Sequence, residues 1–112
     1  MQTLPKFPQA MDDKTFDTLA GQVLGRIQNG LERAGLDYET PADGVLEIEF
    51  EDGAKIVVNR HATAQEIWVA ARSGGFHFRP REGGWQDTRD GEDLYLKLAR
   101  LIAAQGEVAP LF

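Results

Sequence analysis

The chain of 112 residues is 42% hydrophobic and 27% charged, which fits one compact domain and excludes a disordered or multidomain chain. Eighteen acidic residues against twelve basic ones give a net charge of -6, which argues against a nucleic-acid partner. The absence of cysteine excludes disulfides, zinc–thiolate sites and thiol nucleophiles. No apolar run approaches the roughly 20 residues that span a bilayer, which argues against a membrane protein.

The first eleven residues are expected to lie outside the folded domain. Residues 1–11 contain two prolines and no signal-like pattern, so we predict a disordered leader or a remnant of expression, with Met11 as an alternative start. We expect residues 12–112 to form one domain.

A long amphipathic helix is predicted from Asp12 or Asp13 to Gly35. A carboxylate suits the positive end of the helix dipole, and glycine suits the C-terminal cap. Glycines inside the segment weaken the isolated helix, so packing of its apolar stripe must hold it. The stripe recurs at spacings of three and four and comprises Phe16, Leu19, Ala20, Val23, Leu24, Ile27, Leu31 and Ala34.

Consecutive strands are predicted after this helix. Residues 45–51 alternate apolar and acidic side chains with period two, which is typical of a half-buried strand. Asp52-Gly53 predicts a hairpin turn, so residues 54–59 form the antiparallel partner. Further strand signals lie at residues 36–43 (weak), 66–72, 76–78 and around Trp85.

The orientation of Trp68 follows from the pattern of its strand. If Ile67, Val69 and Ala71 face the core, alternate residues face outward, and Trp68 is exposed. The alternative is a register one residue off, which would turn Trp68 inward. The residues expected to point outward are Glu66, Trp68, Ala70 and Arg72.

A second amphipathic helix closes the chain. It is predicted to begin at Asp90, with Asp93 completing a weak capping box, and to carry an apolar face that includes Leu94 and Leu98. One helix, consecutive strands and a closing helix predict an α+β fold. The expected architecture is a two-layer α/β sandwich, with an antiparallel sheet packed under two helices and its other face open.

No catalytic residues are predicted. Ser73 is the only serine, and the chain has no phosphate-binding glycine loop and no His-x-x-x-His pair. Acidic side chains instead suggest weak metal binding, because exposed carboxylates form water-completed sites for hard cations such as ferrous iron. The alternative is an ordinary solvated acidic surface. The residues concerned are Asp13 and Asp17, one helical turn apart, with Glu32, Asp37 and Glu39 towards and beyond the helix end.

An outward set of Asn59, Trp68, Arg72 and His77 has the composition of an interface hot spot. An exposed tryptophan offers a large apolar area, and the amide and the cations supply a polar rim. The sheet face therefore predicts a protein-binding surface.

Three segments together resemble the bacterial frataxin (CyaY) family over roughly residues 12–105. Residues 57–60, 66–78 and 85–91 read VVNR, EIWVAARSGGFHF and WQDTRDG, in the predicted helix–sheet–helix order. Glu66 and His61 stand where glutamine is common in that family.

The resemblance implies the frataxin fold and a regulator of iron–sulfur cluster assembly, not an enzyme. It implies weak binding of Fe2+, with Fe3+ as a further ligand, and binding to a cysteine desulfurase of the IscS type and a scaffold protein of the IscU type. It also implies a cytoplasmic monomer, with an iron-dependent oligomer as the alternative. Carried over by position, the iron ligands are Asp13, Asp17, Glu32, Asp37 and Glu39, and the partner-binding residues are Asn59, Glu66, Trp68, Arg72 and His77.

Two other functions remain open from the sequence. One is an acidic adaptor whose sheet binds protein and whose carboxylates have no metal role. The other is a small metal-dependent hydrolase that uses Glu47, Glu49 and His61.

Overall fold

The computed structural model describes residues 11–112, so the predicted N-terminal leader, apart from Met11, lies outside the described residues. Six strands form one antiparallel sheet in sequence order, which confirms the predicted antiparallel sheet of consecutive strands and the α+β sandwich. The elements are α1 (Asp13–Arg33), β1 (Tyr38–Ala42), β2 (Val45–Glu49), β3 (Lys55–His61), β4 (Glu66–Ala71), β5 (Gly74–Arg81), β6 (Gly84–Asp87) and α2 (Leu94–Ala103). None of the described helices is long and apolar enough to cross a membrane.

Helix α1 begins and ends close to the predicted residues. The Asp12 side chain caps it by accepting a hydrogen bond from the Thr15 backbone N–H at 2.7 Å. Gly35 follows the helix with a φ of +72°, the left-handed conformation that glycine adopts most readily. The buried side chains of α1 are Phe16, Ala20, Val23, Ile27 and Leu31, which belong to the predicted stripe.

The sheet packs one face against both helices. Leu46 and Ile48 of β2 are buried, and so are Ile67 and Val69 of β4, at 0% and 1% exposure. The predicted register of β4 is therefore confirmed, and the alternative with Trp68 in the core is wrong. The same core contains Leu94, Leu98, Leu101 and Ile102 of α2, which joins the two layers.

Helix α2 begins at Leu94 and not at the predicted Asp90. Gly91 has a φ of +76°, which a right-handed helix does not allow, and the Asp90 side chain accepts from the Glu92 backbone N–H at 2.8 Å. Asp93 is the cap, because its carboxylate accepts from the Leu96 N–H at 3.1 Å. Residues 88–93 thus form a loop between β6 and α2.

A buried lysine holds this loop to the domain. The Lys97 ammonium donates to Asp87 Oδ2 at 2.6 Å and to Asp90 Oδ2 at 2.8 Å. Burial alone would raise the pKa of Asp87, but hydrogen bonds from Lys97 and from the Arg89 backbone N–H outweigh it and leave that pKa below the usual 3.8. Burial likewise opposes the charge of Lys97, and the two carboxylates raise its pKa above 10.5. The ion pair is therefore fully charged at neutral pH.

Candidate functional site: the outer face of the sheet

The face of the sheet turned away from the helices carries the predicted binding residues. Antiparallel pairing places Val45 opposite Asn59, Asn59 opposite Trp68, and Trp68 opposite His77. These four side chains therefore form one row across β2, β3, β4 and β5, with Trp68 near the middle of the sheet.

Three aromatic rings stack across this face. The Trp68 indole lies 3.8 Å from the His61 ring and 4.4 Å from the His77 ring, measured between ring centroids, and the planes are within 9° and 7° of parallel. His61 comes from β3 and His77 from β5, on opposite sides of β4, so the two imidazoles cover opposite faces of the indole. The strand pattern predicts an exposed Trp68, but the two imidazoles cover it and leave it half-buried.

The Glu66 carboxylate lies beneath this stack. It accepts from Trp68 Nε1 at 2.8 Å and from Arg79 Nε at 2.6 Å, and its Oε1 is 3.6 Å from His77 Nδ1. Glu66 is only 4% exposed, so the prediction that it points out into solvent is wrong. Period two places it on the outer face correctly, but larger side chains from β4 and β5 cover it.

The other predicted contact residues remain accessible. His77 is exposed, and Asn59 is half-buried within its row. Arg72 is exposed and lies one residue beyond the end of β4, with its guanidinium 3.3 Å from Asp52 Oδ2. Such an exposed ion pair contributes about 0 to 1 kcal/mol and leaves Arg72 free to exchange partners.

The five predicted iron ligands do not form one site. Glu32 lies fifteen residues after Asp17 on α1, and a helical rise of about 1.5 Å per residue separates them by roughly 22 Å. The carboxylates therefore divide into an N-terminal pair, Asp13 and Asp17, and a corner group, Glu32, Asp37 and Glu39. All five side chains are exposed.

Nearby groups already contact some of these carboxylates. Arg60 Nε is 3.9 Å from Asp17 Oδ1, and the Tyr38 hydroxyl donates to Glu32 Oε1 at 2.6 Å. That hydrogen bond raises the pKa of Tyr38, because ionising the phenol would place a second negative charge beside the carboxylate. Within residues 11–112, no group of three or more His, Asp or Glu side chains lies close enough together to hold a metal ion.

The hydrolase alternative does not fit the register. Glu47 lies opposite Val57, whereas His61 is four residues further along β3, a distance of about 13 Å at 3.3 Å per residue. The imidazole and the glutamate therefore do not meet, and the structure gives no support to a shared hydrolytic site.

Sequence reasoning missed two members of this site as contact-forming residues. The sequence marks His61 as a departure from the family pattern and as a residue of the hydrolase alternative, but not as a member of the outward set, although its position two residues after Asn59 places it on the same face. Arg79 follows His77 by the same interval and forms the ion pair with Glu66. Both could have been found by continuing the period-two pattern to the ends of β3 and β5.

Comparison with known proteins identifies the family to which the fold belongs. The profile of the Frataxin-like domain family matches residues 9–108. The iron–sulfur cluster assembly protein CyaY of Dechloromonas aromatica is 56% identical over 97 residues, covering 85% of this chain and 92% of that protein. The protein of the same name from Ralstonia nicotianae is 45% identical over 103 residues, covering 88% and 91%.

Solved structures agree with the sequence comparison. Frataxin from Psychromonas ingrahamii superposes with a TM-score of 0.83 at 30% identity, covering 88% of this chain and 96% of that one. A trimeric frataxin from the yeast Saccharomyces cerevisiae, complexed with ferrous iron, has a TM-score of 0.62 at 22% identity, with 90% and 91% covered, and supports the fold alone.

The chain is thus a frataxin-like domain, as its three sequence segments predicted. It belongs to the CyaY family of iron–sulfur cluster assembly proteins.

Proposed function

We propose that this protein regulates iron–sulfur cluster assembly in the bacterial cytoplasm by binding a cysteine desulfurase and its scaffold protein through the outer face of the sheet. The observation that carries the proposal is the half-buried Trp68 at the centre of a face that neither helix covers. A partly exposed tryptophan with an amide and cations around it is the usual composition of a binding hot spot. The protein acts as a regulator and has no turnover of its own.

Weak iron binding is the second part of the proposal. Exposed carboxylates prefer hard cations, and the separation of Asp13 and Asp17 from the corner group favours several weak sites over one closed site. The family's association with iron supports the choice of metal, since a yeast frataxin was crystallised with ferrous iron. We expect Fe2+ to bind first, with Fe3+ binding and iron-dependent oligomers of a monomeric protein as further outcomes.

A pull-down with purified desulfurase and scaffold, with and without ferrous iron, tests this function. Wild-type protein should retain both partners, and Trp68→Ala should retain neither at the same concentration. Retention of both partners by Trp68→Ala would contradict the proposed surface. If ferrous iron does not change the amount of desulfurase or scaffold retained, partner binding does not depend on the metal.

An acidic adaptor without a metal role is the second candidate. It is favoured by the contacts that Arg60 makes with Asp17 and Tyr38 makes with Glu32, which occupy carboxylates needed for iron. Titration with ferrous iron, followed by broadening of amide NMR signals, distinguishes the two. No selective broadening near α1 or β1 would favour the adaptor.

A further inference from the structure

Resting on the proposed function, the geometry points to His61 and Glu66 as positioning residues that hold Trp68 with only its edge available to a partner. We infer that the partner presents a narrow apolar slot with oxygen acceptors, and that it does not stack a guanidinium or an aromatic ring on the indole. Neither residue need touch the partner for this role.

The first support is that both faces of the indole are already covered. At centroid distances of 3.8 and 4.4 Å, the imidazoles of His61 and His77 are in van der Waals contact with it. A partner ring or guanidinium could reach an indole face only by displacing one of them. The edge of an aromatic ring carries partial positive charge, so the accessible part of Trp68 suits apolar groups and carbonyl oxygens.

The second support is that each residue of the stack is held by a hydrogen bond, through the ring in His61 and Trp68 and through the backbone in His77. His61 Nδ1 accepts from the Ala64 backbone N–H at 3.2 Å, which fixes the imidazole at the end of β3. Trp68 Nε1 donates to the buried Glu66 carboxylate, so the polar end of the indole is satisfied inside the protein. The backbone of His77 is held because its carbonyl accepts from the Thr88 N–H at 2.9 Å.

The third support is that Glu66 is itself held in place. Its carboxylate is 6% exposed and receives hydrogen bonds from the Trp68 indole and the Arg79 guanidinium. A buried charge with two such donors adopts one position, and the indole bonded to it does the same. Because Trp68 is ordered before binding, association need not immobilise a large side chain.

The stack does not point to a metal site. The Trp68 indole stands between His61 and His77, so the two imidazoles cannot bind one ion together. His61 also uses Nδ1 as an acceptor for a backbone amide, which leaves one ring nitrogen. Positioning of Trp68 is consistent with the stacking of both imidazoles and with the hydrogen bond of His61. Binding of one metal ion by both imidazoles would require the stack to break.

The test compares His61→Ala and Glu66→Ala with Leu96→Ala, a control with an exposed side chain on α2, away from the outer face of the sheet. The first readout needs no partner: it is the indole N–H signal of Trp68 in a proton–nitrogen NMR spectrum and its rate of hydrogen exchange. Both test variants should shift this signal and raise its exchange rate severalfold. The indole signal of the buried Trp85 should stay in place and report an intact fold.

The second readout is affinity for the desulfurase. Loss of positioning should weaken binding about 3- to 10-fold, the cost of immobilising one side chain, while Leu96→Ala binds as wild type. An unchanged Trp68 signal, or a shifted signal with unchanged affinity, would overturn the positioning role. If Trp68→Ala itself binds as wild type, the proposed function fails instead.

A third readout tests the edge contact. The carbon-bound protons of His61 and His77 should be shifted upfield by the ring current of the indole, and they should remain so when desulfurase is added. Return of either imidazole to ordinary shifts on binding would mean that the partner displaces it and stacks on the indole, which would overturn the inference.

Discussion

Replacement of Lys97 by methionine should remove a large part of the stability of the domain. The side chains of Lys97 and Asp87 are 4% and 2% exposed, and Lys97→Met leaves the Asp87 carboxylate buried without its counter-ion. Removing one partner of such a pair costs about 3 to 5 kcal/mol, against a total of about 5 to 15 kcal/mol for a domain. Backbone N–H groups of Arg89 and Asp90 still reach Asp87, which places the expected loss near the lower bound.

Urea unfolding followed by circular dichroism measures this loss. Lys55→Met is the matched control, because Lys55 is exposed on β3 and its replacement should change the free energy of unfolding by no more than about 0.5 kcal/mol. Adding Asp87→Asn to Lys97→Met should restore part of the loss, because the unpaired charge is removed. A loss below about 1 kcal/mol for Lys97→Met would refute the reasoning, since a charge that costs so little is not effectively buried.

The same pair sets a pH dependence. The folded-state pKa of Asp87 lies below its usual 3.8, so its stabilisation is present above that value and is lost as the pH falls through the folded pKa. The pKa of Lys97 lies above 10.5, so its stabilisation is present below that value and is lost as the pH rises through the folded pKa. Wild type and Lys97→Met should therefore differ most at neutral pH and converge in acid.

Three further outcomes follow from charge, helix packing and the divided carboxylates. Asp13→Lys with Asp17→Lys should slow association with the desulfurase and flatten its salt dependence in stopped-flow measurements, and an unchanged salt slope would mean that these acids are only solvated. Gly21→Ala should stabilise α1 by up to about 1 kcal/mol, because nothing lies within 4 Å of the added methyl group. Gly30→Ala should give no gain in stability, because its methyl group would lie 2.9 Å from Phe112 Cε1. Equal shifts of the melting temperature for the two variants would contradict this prediction. Ferrous titration should broaden amide signals near both carboxylate groups independently, and broadening confined to the two histidines would oppose it.

Much of the fold could be predicted because local patterns encode it directly. The alternation in β2 and the Asp52-Gly53 turn indicate both strands of the first long hairpin, and the predicted register of β4 is correct. The weak signal at residues 36–43 reflects β1, an edge strand whose residues are mostly exposed and so lack an apolar alternation.

The parts that could not be predicted depend on contacts between distant residues. The burial of Glu66 results from the Trp68, His77 and Arg79 side chains. The alternation of a strand predicts on which face of the sheet a residue lies, but not whether neighbouring side chains bury it. Similarly, Asp90 resembles a helix start in sequence, but its carboxylate binds the buried Lys97 and belongs to the preceding loop.

The most direct measurement of the central claim is the affinity of the desulfurase for Trp68→Ala beside Leu96→Ala. Leu96 is 66% exposed on α2, so its replacement removes a comparable apolar contact from the helix layer. If the outer sheet face is the binding surface, isothermal titration calorimetry should show a loss of about 2 kcal/mol or more for Trp68→Ala and no loss for Leu96→Ala, with both variants folded. An affinity for Trp68→Ala within twofold of wild type, or an equal loss for Leu96→Ala, would contradict the account.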